Sequence, residues 1–346
     1  MSTNMYNERI YFAAANSFYG FKSNFDKVFS PLRLDKLYVL KGGPGTGKST
    51  LMRSIADFFD GSAKIIKFFC SSDTRSLDGV LIEKNGVTVG VADGTSPHVI
   101  EPRFPGAVEE IVNLGEGFNY RSMMNSRDEI LDLSQKKGRV YEKAYESLKN
   151  AGAIRGVIDS ILSNNDIYKT AEGVALALIQ GENNGQNVVA NSSFYISAFS
   201  KDGYTTMPLL KAGKEMISIV GDGVSEYVVM RELHEKLREM GASKCVFTSP
   251  LSDDMIDAVE TESRVYTVSK ENDSGYDARS LLGCVKGYSG LKESYDIMLN
   301  DATEAFKIAS KYHFALEEIY SRNMTFKSNE DKISDIKNEI TELFEK

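Results

Sequence analysis

Apolar positions change their period along the chain, and each change marks an element. Leu37-Tyr38-Val39-Leu40 is a short continuous apolar run, closed after Lys41 by glycines, and it predicts a buried strand. Beyond the glycines, Leu51, Met52, Ile55, Phe58 and Phe59 recur at helical spacing. Further apolar runs predict strands over 64–70, 87–92, 216–220, 244–246 and 265–268. Two long helical stretches, about 123–180 and 288–345, complete an α/β pattern. In the second stretch Phe306, Ala309, His313, Leu316 and Tyr320 stand 3, 4, 3 and 4 residues apart, the spacing of an apolar seam. Ile333, Ile336, Ile340 and Leu343 continue that pattern in the last helix. His313 in the seam, and His234 between Met230 and Leu237, read as hydrogen-bonded core histidines. These helices either cover the helices of the other half or pair chains.

Length and charge narrow the class. At roughly 150 residues per domain, 346 residues make about two domains, and 42% hydrophobic residues can fill a core. Against 49 acidic side chains stand 41 Lys and Arg, a net charge of −8. The field of such a chain repels phosphate, so general nucleic-acid or anionic-membrane binding is disfavoured. Lys136, Lys137, Arg139, Lys143 and Lys149 make one helix locally basic, but Glu142 and Glu146 interleave with them as on a solvated face. Cys70, Cys245 and Cys284 form no CxxC pair and only three histidines are present, which argues against a disulfide scaffold or a zinc or histidine-rich centre. No apolar run approaches the roughly 18 residues of a membrane helix, and the first nine residues hold no signal core. A cytoplasmic protein is expected.

The chemistry concentrates between the first strand and its helix. Gly42-Gly43-Pro44-Gly45-Thr46-Gly47-Lys48-Ser49-Thr50 contains the full G-x-x-x-x-G-K-[ST] pattern in a strand–loop–helix context. Glycines let successive backbone N–H groups turn inward toward phosphate, and the helix N-terminus adds its dipole. Lys48 supplies a cation for the β- and γ-phosphates, and the Ser49 hydroxyl is placed to ligate Mg²⁺.

A carboxylate is needed to order the metal shell. The run 87–92 ends in Asp93, and in a parallel sheet strand ends gather beside such a loop. Asp93 is therefore the Mg²⁺-ordering candidate, the alternative being an acid that caps the following turn. Gly94, not glutamate, follows it, so the group that orients an attacking water is not identified: Asp73, Asp78, Glu101 or a partner's residue can serve. Asp73 and Asp78 also read as turn residues. Pro97, Pro102 and Pro105 stiffen the next segment, where His98 or Arg103 can reach phosphate. The absence of an Asn-Lys-x-Asp pattern favours ATP over GTP.

The segments recur in order. Tyr11 to Phe21 is matched by Phe194 to Tyr204, Leu37 to Lys41 by Met216 to Val220, and Lys64 to Asp73 by Lys244 to Asp253. Two copies of one unit are expected, 1–186 and 187–346, each ending in a helical hairpin, with coincidence between two doubly wound domains as the alternative. In the second copy Gly221-Asp222-Gly223-Val224-Ser225 lacks the Gly-Lys-Ser triplet.

Tyr11 to Ser17, Leu40 to Thr50 and Asp93-Gly94-Thr95-Ser96-Pro97-His98-Val99-Ile100 together resemble an uncharacterised bacterial group, largely from Firmicutes, of tandem P-loop proteins described as ATPases or nucleotide kinases. The resemblance implies an ATP-binding P-loop NTPase with two related halves and largely parallel sheets. Its members often carry a second intact phosphate loop; this chain does not. The expected function is Mg²⁺-dependent ATP hydrolysis, slow or partner-stimulated, at the first unit only. A small-molecule or nucleotide kinase, and a non-hydrolytic ATP-dependent switch, need the same loop. A protein partner or self-association through the helices is the expected further contact.

Overall fold

The computed structural model describes residues 9–163, 166–187, 189–207, 209, 213–269 and 275–346. Strand β1 (Arg9–Tyr11) and the hairpin β2 (Ala14–Ser17) and β3 (Gly20–Ser23) open the chain, followed by the single turn α1 (Phe25–Val28). Then come β4 (Lys36–Lys41), α2 (Lys48–Phe59), β5 (Lys64–Phe69), β6 (Leu77–Lys84), β7 (Val87–Asp93) and β8 (Glu109–Asn113). Helices α3 (Tyr120–Asn125), α4 (Arg127–Ser163) and α5 (Ile167–Leu178) lead to the second half. That half contains β9 (Ala190–Asn191), the hairpin β10 (Ser197–Ser200) and β11 (Gly203–Thr206), β12 (Glu215–Val220) and α6 (Ser225–Glu239). It continues through β13 (Cys245–Thr248), β14 (Ile256–Glu260), β15 (Arg264–Ser269) and β16 (Tyr276–Asp277) to α7 (Tyr288–Arg322) and α8 (Lys327–Glu345).

Each half is built on a six-stranded sheet, ordered β1-β5-β6-β7-β4-β8 and β9-β13-β14-β15-β12-β16. In both, the first pair is parallel, the next two antiparallel and the last two parallel. The register slips at one place in each, between Phe68 and Phe69 and between Phe247 and Thr248. The sheets are thus mixed, with a β5-β6-β7 meander where the sequence predicts largely parallel strands. Strand β6 is the reason: Asp78 and Gly79 interrupt its apolar pattern, so its first residues read as a turn. Gly79 is required there, since a Cβ would lie 2.2 Å from the Phe29 ring.

The halves meet through their hairpins. Phe12 and Tyr195 exchange backbone hydrogen bonds of 2.9 Å each way, and Asn16 Nδ2 donates to the Phe199 carbonyl at 2.8 Å. Lys22 of the first half pairs with Asp253 at 3.0 Å, and Lys201 of the second pairs with Asp73 at 3.1 Å.

The helical arms cross between the halves, the first of the two arrangements expected for them. Ala144, Leu148, Ala151, Ile158 and Leu162 of α4 lie in one core with Leu233, Val259 and Tyr266 of the second half and Phe306 of α7. Helix α5 packs on α6. In return, Ile336, Ile340 and Phe344 of α8 join Met52, Ile55 and Phe59 beneath the first sheet. The Phe59 and Phe344 ring centroids are 5.6 Å apart, and Tyr38 donates to Glu339 at 2.7 Å. A division at 186/187 separates the two sheets, while α4 and α5 find apolar surface in the second half, α8 beneath the first sheet, and α7 stays in the second half's core. Among the described residues no helix is long and apolar enough to cross a membrane.

If α8 belongs to the first core, Ile340→Ala, which empties a fully buried position, should cost about 2–4 kcal/mol. Denaturant unfolding reads this; a loss under about 0.5 kcal/mol would mean that α8 is only loosely docked.

Candidate functional site

Strands β4, β5 and β7 end at the edge of the first sheet where the antiparallel β6 begins. The directions of these four strands therefore bring the 42–50 loop, Cys70 to Asp73, Asp78 and Asp93 together. A cavity of about 900 Å³ opens there, a volume typical of small-molecule sites. Every residue from Gly42 to Thr50 lines it, as do Asp73, Asp78, Asp93 and His98. The crossed arms supply the other wall, including Lys137, Tyr141 and Tyr145 of α4 and Phe306, His313 and Glu317 of α7.

The loop is shaped by close approaches. Gly45 and Gly47 have φ of 68° and 87°, a region that L side chains rarely adopt. A Cβ on Gly45 would also stand 2.6 Å from the Glu317 carbonyl oxygen. The Ser321 hydroxyl donates to the Gly45 carbonyl at 3.1 Å, and Asn329 Nδ2 donates to the Thr46 carbonyl at 2.9 Å. The arm of the second half is thus hydrogen-bonded to the loop of the first.

Lys48 opens α2 and folds back over its own loop, donating to the Gly42 and Gly43 carbonyls at 2.8 and 2.9 Å. Its Nζ lies 3.6 Å from Asp93 Oδ2. The other oxygen of Asp93 accepts from the Thr95 backbone N–H at 2.9 Å and hydroxyl at 2.6 Å. Asp93 therefore caps its turn with one oxygen, as one of the two expectations for it had it, and faces the lysine with the other. Ser49 Oγ accepts from the Leu77 amide at 2.9 Å. Position 94 must be glycine because a Cβ would fall 2.3 Å from Val39 Cγ1 of β4, and this excludes a glutamate after Asp93.

Other predicted residues are sorted by the fold. Asp73 faces the cavity; burial alone would raise its pKa, but hydrogen bonds from Lys201 and Arg75 outweigh it and hold the carboxyl below its usual range. Glu101 pairs with Lys41 at 3.1 Å and lies outside the lining, as does the exposed Arg103. Of the 96–106 segment only Ser96, Pro97 and His98 reach the cavity. His98 is buried, with Nε2 3.1 Å from Asp78 Oδ2. His313 is not a core residue: it is partly exposed, faces the cavity and lies 3.5 Å from Glu317. Lys137, read as part of a solvated face, also lines the cavity, where burial lowers its pKa and Glu317 partly opposes the shift. The helical period alone does not tell which turn of α4 meets the cavity.

The corresponding turn of the second half is filled by its own acids. The Glu226 carboxylate accepts from the Gly223 N–H at 3.0 Å, and a Cβ on Gly221 would be 1.9 Å from its Oε2. Asp222 Oδ1 accepts from the Val224 and Ser225 amides at 3.0 Å, and Tyr288 donates to its Oδ2 at 2.6 Å. These carboxylates occupy the positive N-terminus of α6, so no inward-facing N–H cluster is left for an outside anion.

Burial pushes the Glu226 carboxyl up to about 7, with Asp222 adding and the Gly223 amide and Arg155 opposing. A raised carboxyl pKa favours the fold fully below its unfolded value, near 4.5, and that contribution is lost as pH rises through 7. Glu226→Gln should therefore gain about 2–3 kcal/mol relative to the parent chain between pH 5 and pH 8. Urea unfolding at both values reads it, and parallel pH dependences would contradict the account.

Searches against protein-family models, curated proteins and solved structures give no match to this chain, so its functional reading rests on the residues of this site.

Proposed function

We propose that the chain binds ATP with Mg²⁺ at residues 42–50 and hydrolyses it slowly, or faster with a partner, at the first half only. The observation that carries this reading is the convergence of Lys48, Ser49 and Asp93 on one cavity that every residue of the 42–50 loop also lines. Lys48 is the mobile cation for the β- and γ-phosphates, exchanging its two carbonyl partners for phosphate oxygens. The N–H groups of Gly45 to Lys48 and the α2 N-terminus hold the β-phosphate. Ser49 and Asp93 hold the metal or its waters. Among the described residues no group of three or more His, Cys, Asp or Glu could hold a metal ion; the proposed cation would be held by one hydroxyl, one carboxylate and the phosphates themselves. When bound, Mg²⁺ supplies charge neutralisation at the phosphates.

We further infer that the halves derive from one duplicated unit. Supporting this are their identical strand order, matching pair directions and equivalent register slips. The second copy has replaced the phosphate with its own Glu226 and Asp222. A switch role for ATP is a second reading, favoured by the hydrogen bonds of Ser321 and Asn329 to the loop: phosphate binding that moves Gly45 or Thr46 must also disturb the arm.

Lys48→Ala removes charge-assisted bonds worth about 1.5–3 kcal/mol. Calorimetric titration with Mg·ATP should then show affinity about ten- to a hundredfold weaker, with folding retained and ADP formed only by the parent chain. Unchanged affinity would overturn the assignment.

A further inference from the structure

Hydrolysis at this site needs a group to accept a proton from water, and β4 excludes a glutamate at position 94. Four carboxylates besides Asp93 can be compared: Glu317 of α7 lines the cavity, but its carboxylate lies 3.5 Å from His313. Glu101 lies outside the cavity on Lys41, and Asp73 is neutralised by Lys201 and Arg75. Asp78 remains. It is the second residue of β6, directly after Leu77, whose amide donates to Ser49 Oγ at 2.9 Å. It therefore stands one residue from the proposed metal-binding hydroxyl.

Both Asp78 and His98 line the cavity, with side chains 9% and 6% exposed. The imidazole is held by stacking on Phe25, ring centroids 4.3 Å apart and planes within 13°, and by Phe21 at 5.2 Å. With Nε2 turned to Asp78 Oδ2, the ring fixes the carboxylate's orientation. Nδ1 of His98 is buried and has no hydrogen-bond partner among the described residues.

The second half contains the control. Its register slip places Asp257 where the first half has Asp78: Leu77 pairs with Phe69 and Ile256 with Thr248 just after each slip, and the aspartate follows. Asp257 is fully buried and takes hydroxyls from Ser197, from Tyr204 at 2.7 Å and from Tyr227 at 3.1 Å. At the hairpin positions of Ser197 and Tyr204 the first half has Ala14 and Phe21, neither with a hydroxyl. The carboxylate is sealed in the half whose loop is self-filled, and turned to the cavity in the half with Lys48.

We propose that Asp78 is the catalytic carboxylate that orients and deprotonates the attacking water, with His98 as its positioning residue. This rests on the ATP reading above. Water oxygen forms a bond to the γ-phosphorus, and the bond from that phosphorus to the β–γ bridging oxygen breaks, its electron pair leaving with ADP. The proton of the water passes to the Asp78 carboxylate, from which it returns to solvent as phosphate departs.

The test uses the full chain. Single-turnover ADP formation from Mg·ATP is compared with the affinity for a non-hydrolysable ATP analogue, for the parent, Asp78→Asn and His98→Gln. Loss of a general base should slow cleavage by about 10²- to 10⁴-fold in Asp78→Asn, with analogue affinity within about threefold. His98→Gln, which leaves the carboxylate present, should slow cleavage by about tenfold at unchanged affinity, and it decides the matter if Asp78→Asn does not fold. Parental cleavage in either variant overturns the proposal, as does a fall in affinity equal to the fall in rate. A parent that binds the analogue without cleaving ATP overturns the role of Asp78 and leaves the binding reading standing. A parent that binds no analogue refutes that reading, and the proposal with it.

Discussion

The exchange of helical arms is the constraint on which this molecule depends. Neither sheet covers its own helix layer: α2 needs α8 from the far end of the chain, and α6 needs α5 from the first half. An apolar stripe left in water costs about 25 cal/mol per Å², so the two halves bury their surfaces reciprocally. Contact between α4 and α7 then locks the exchange along two helices of 37 and 35 residues. The hairpin bonds between Phe12 and Tyr195 and the ion pairs of Lys22 and Lys201 sit at the same junction. The interface is therefore part of the core rather than a surface added to two finished domains.

That exchange also builds the cavity. One wall is the loop edge of the first sheet; the other is made from α4 and α7, which run between the halves. Glu317, Tyr320 and Ser321 come from the second half's arm yet touch the first half's glycines. The Gly45 carbonyl thus accepts from a helix whose earlier turns, at Ala302 and Phe306, lie in the core of the second half.

The two loops show one backbone plan filled in two ways. A turn leading into a helix concentrates unpaired N–H groups and a positive dipole end, which must meet an anion or water. In the second half the chain's own Asp222 and Glu226 fill that place, at the cost of a buried Glu226 carboxyl with a raised pKa. The first half has no acid at those positions; its Lys48 bonds the Gly42 and Gly43 carbonyls and approaches Asp93. The paired aspartates, Asp78 and Asp257, follow the same logic: hydroxyls satisfy one, and a histidine leaves the other facing the cavity.

Much of this was legible in the order of residues. Local patterns depend on neighbours a few positions apart, so the strand–loop–helix at 37–59, the Gly-Lys-Ser triplet, Asp93 at a strand end and the recurrence of segments could be read directly. Strand β6 could not, because Asp78 and Gly79 serve distant partners, His98 and Phe29, and break the alternation that marks a strand. His313 and Lys137 line the cavity rather than a core or a solvated face for a related cause: helical period locates a face, but not what lies opposite it. The sequence by itself determined the strand–loop–helix at 37–59, the strand that ends in Asp93 and the lack of a Gly-Lys-Ser triplet in the second turn. Only the tertiary structure decided which sheet each arm covers, which carboxylates reach the cavity and why glycine follows Asp93, since each depends on atoms far apart in the chain competing for the same space.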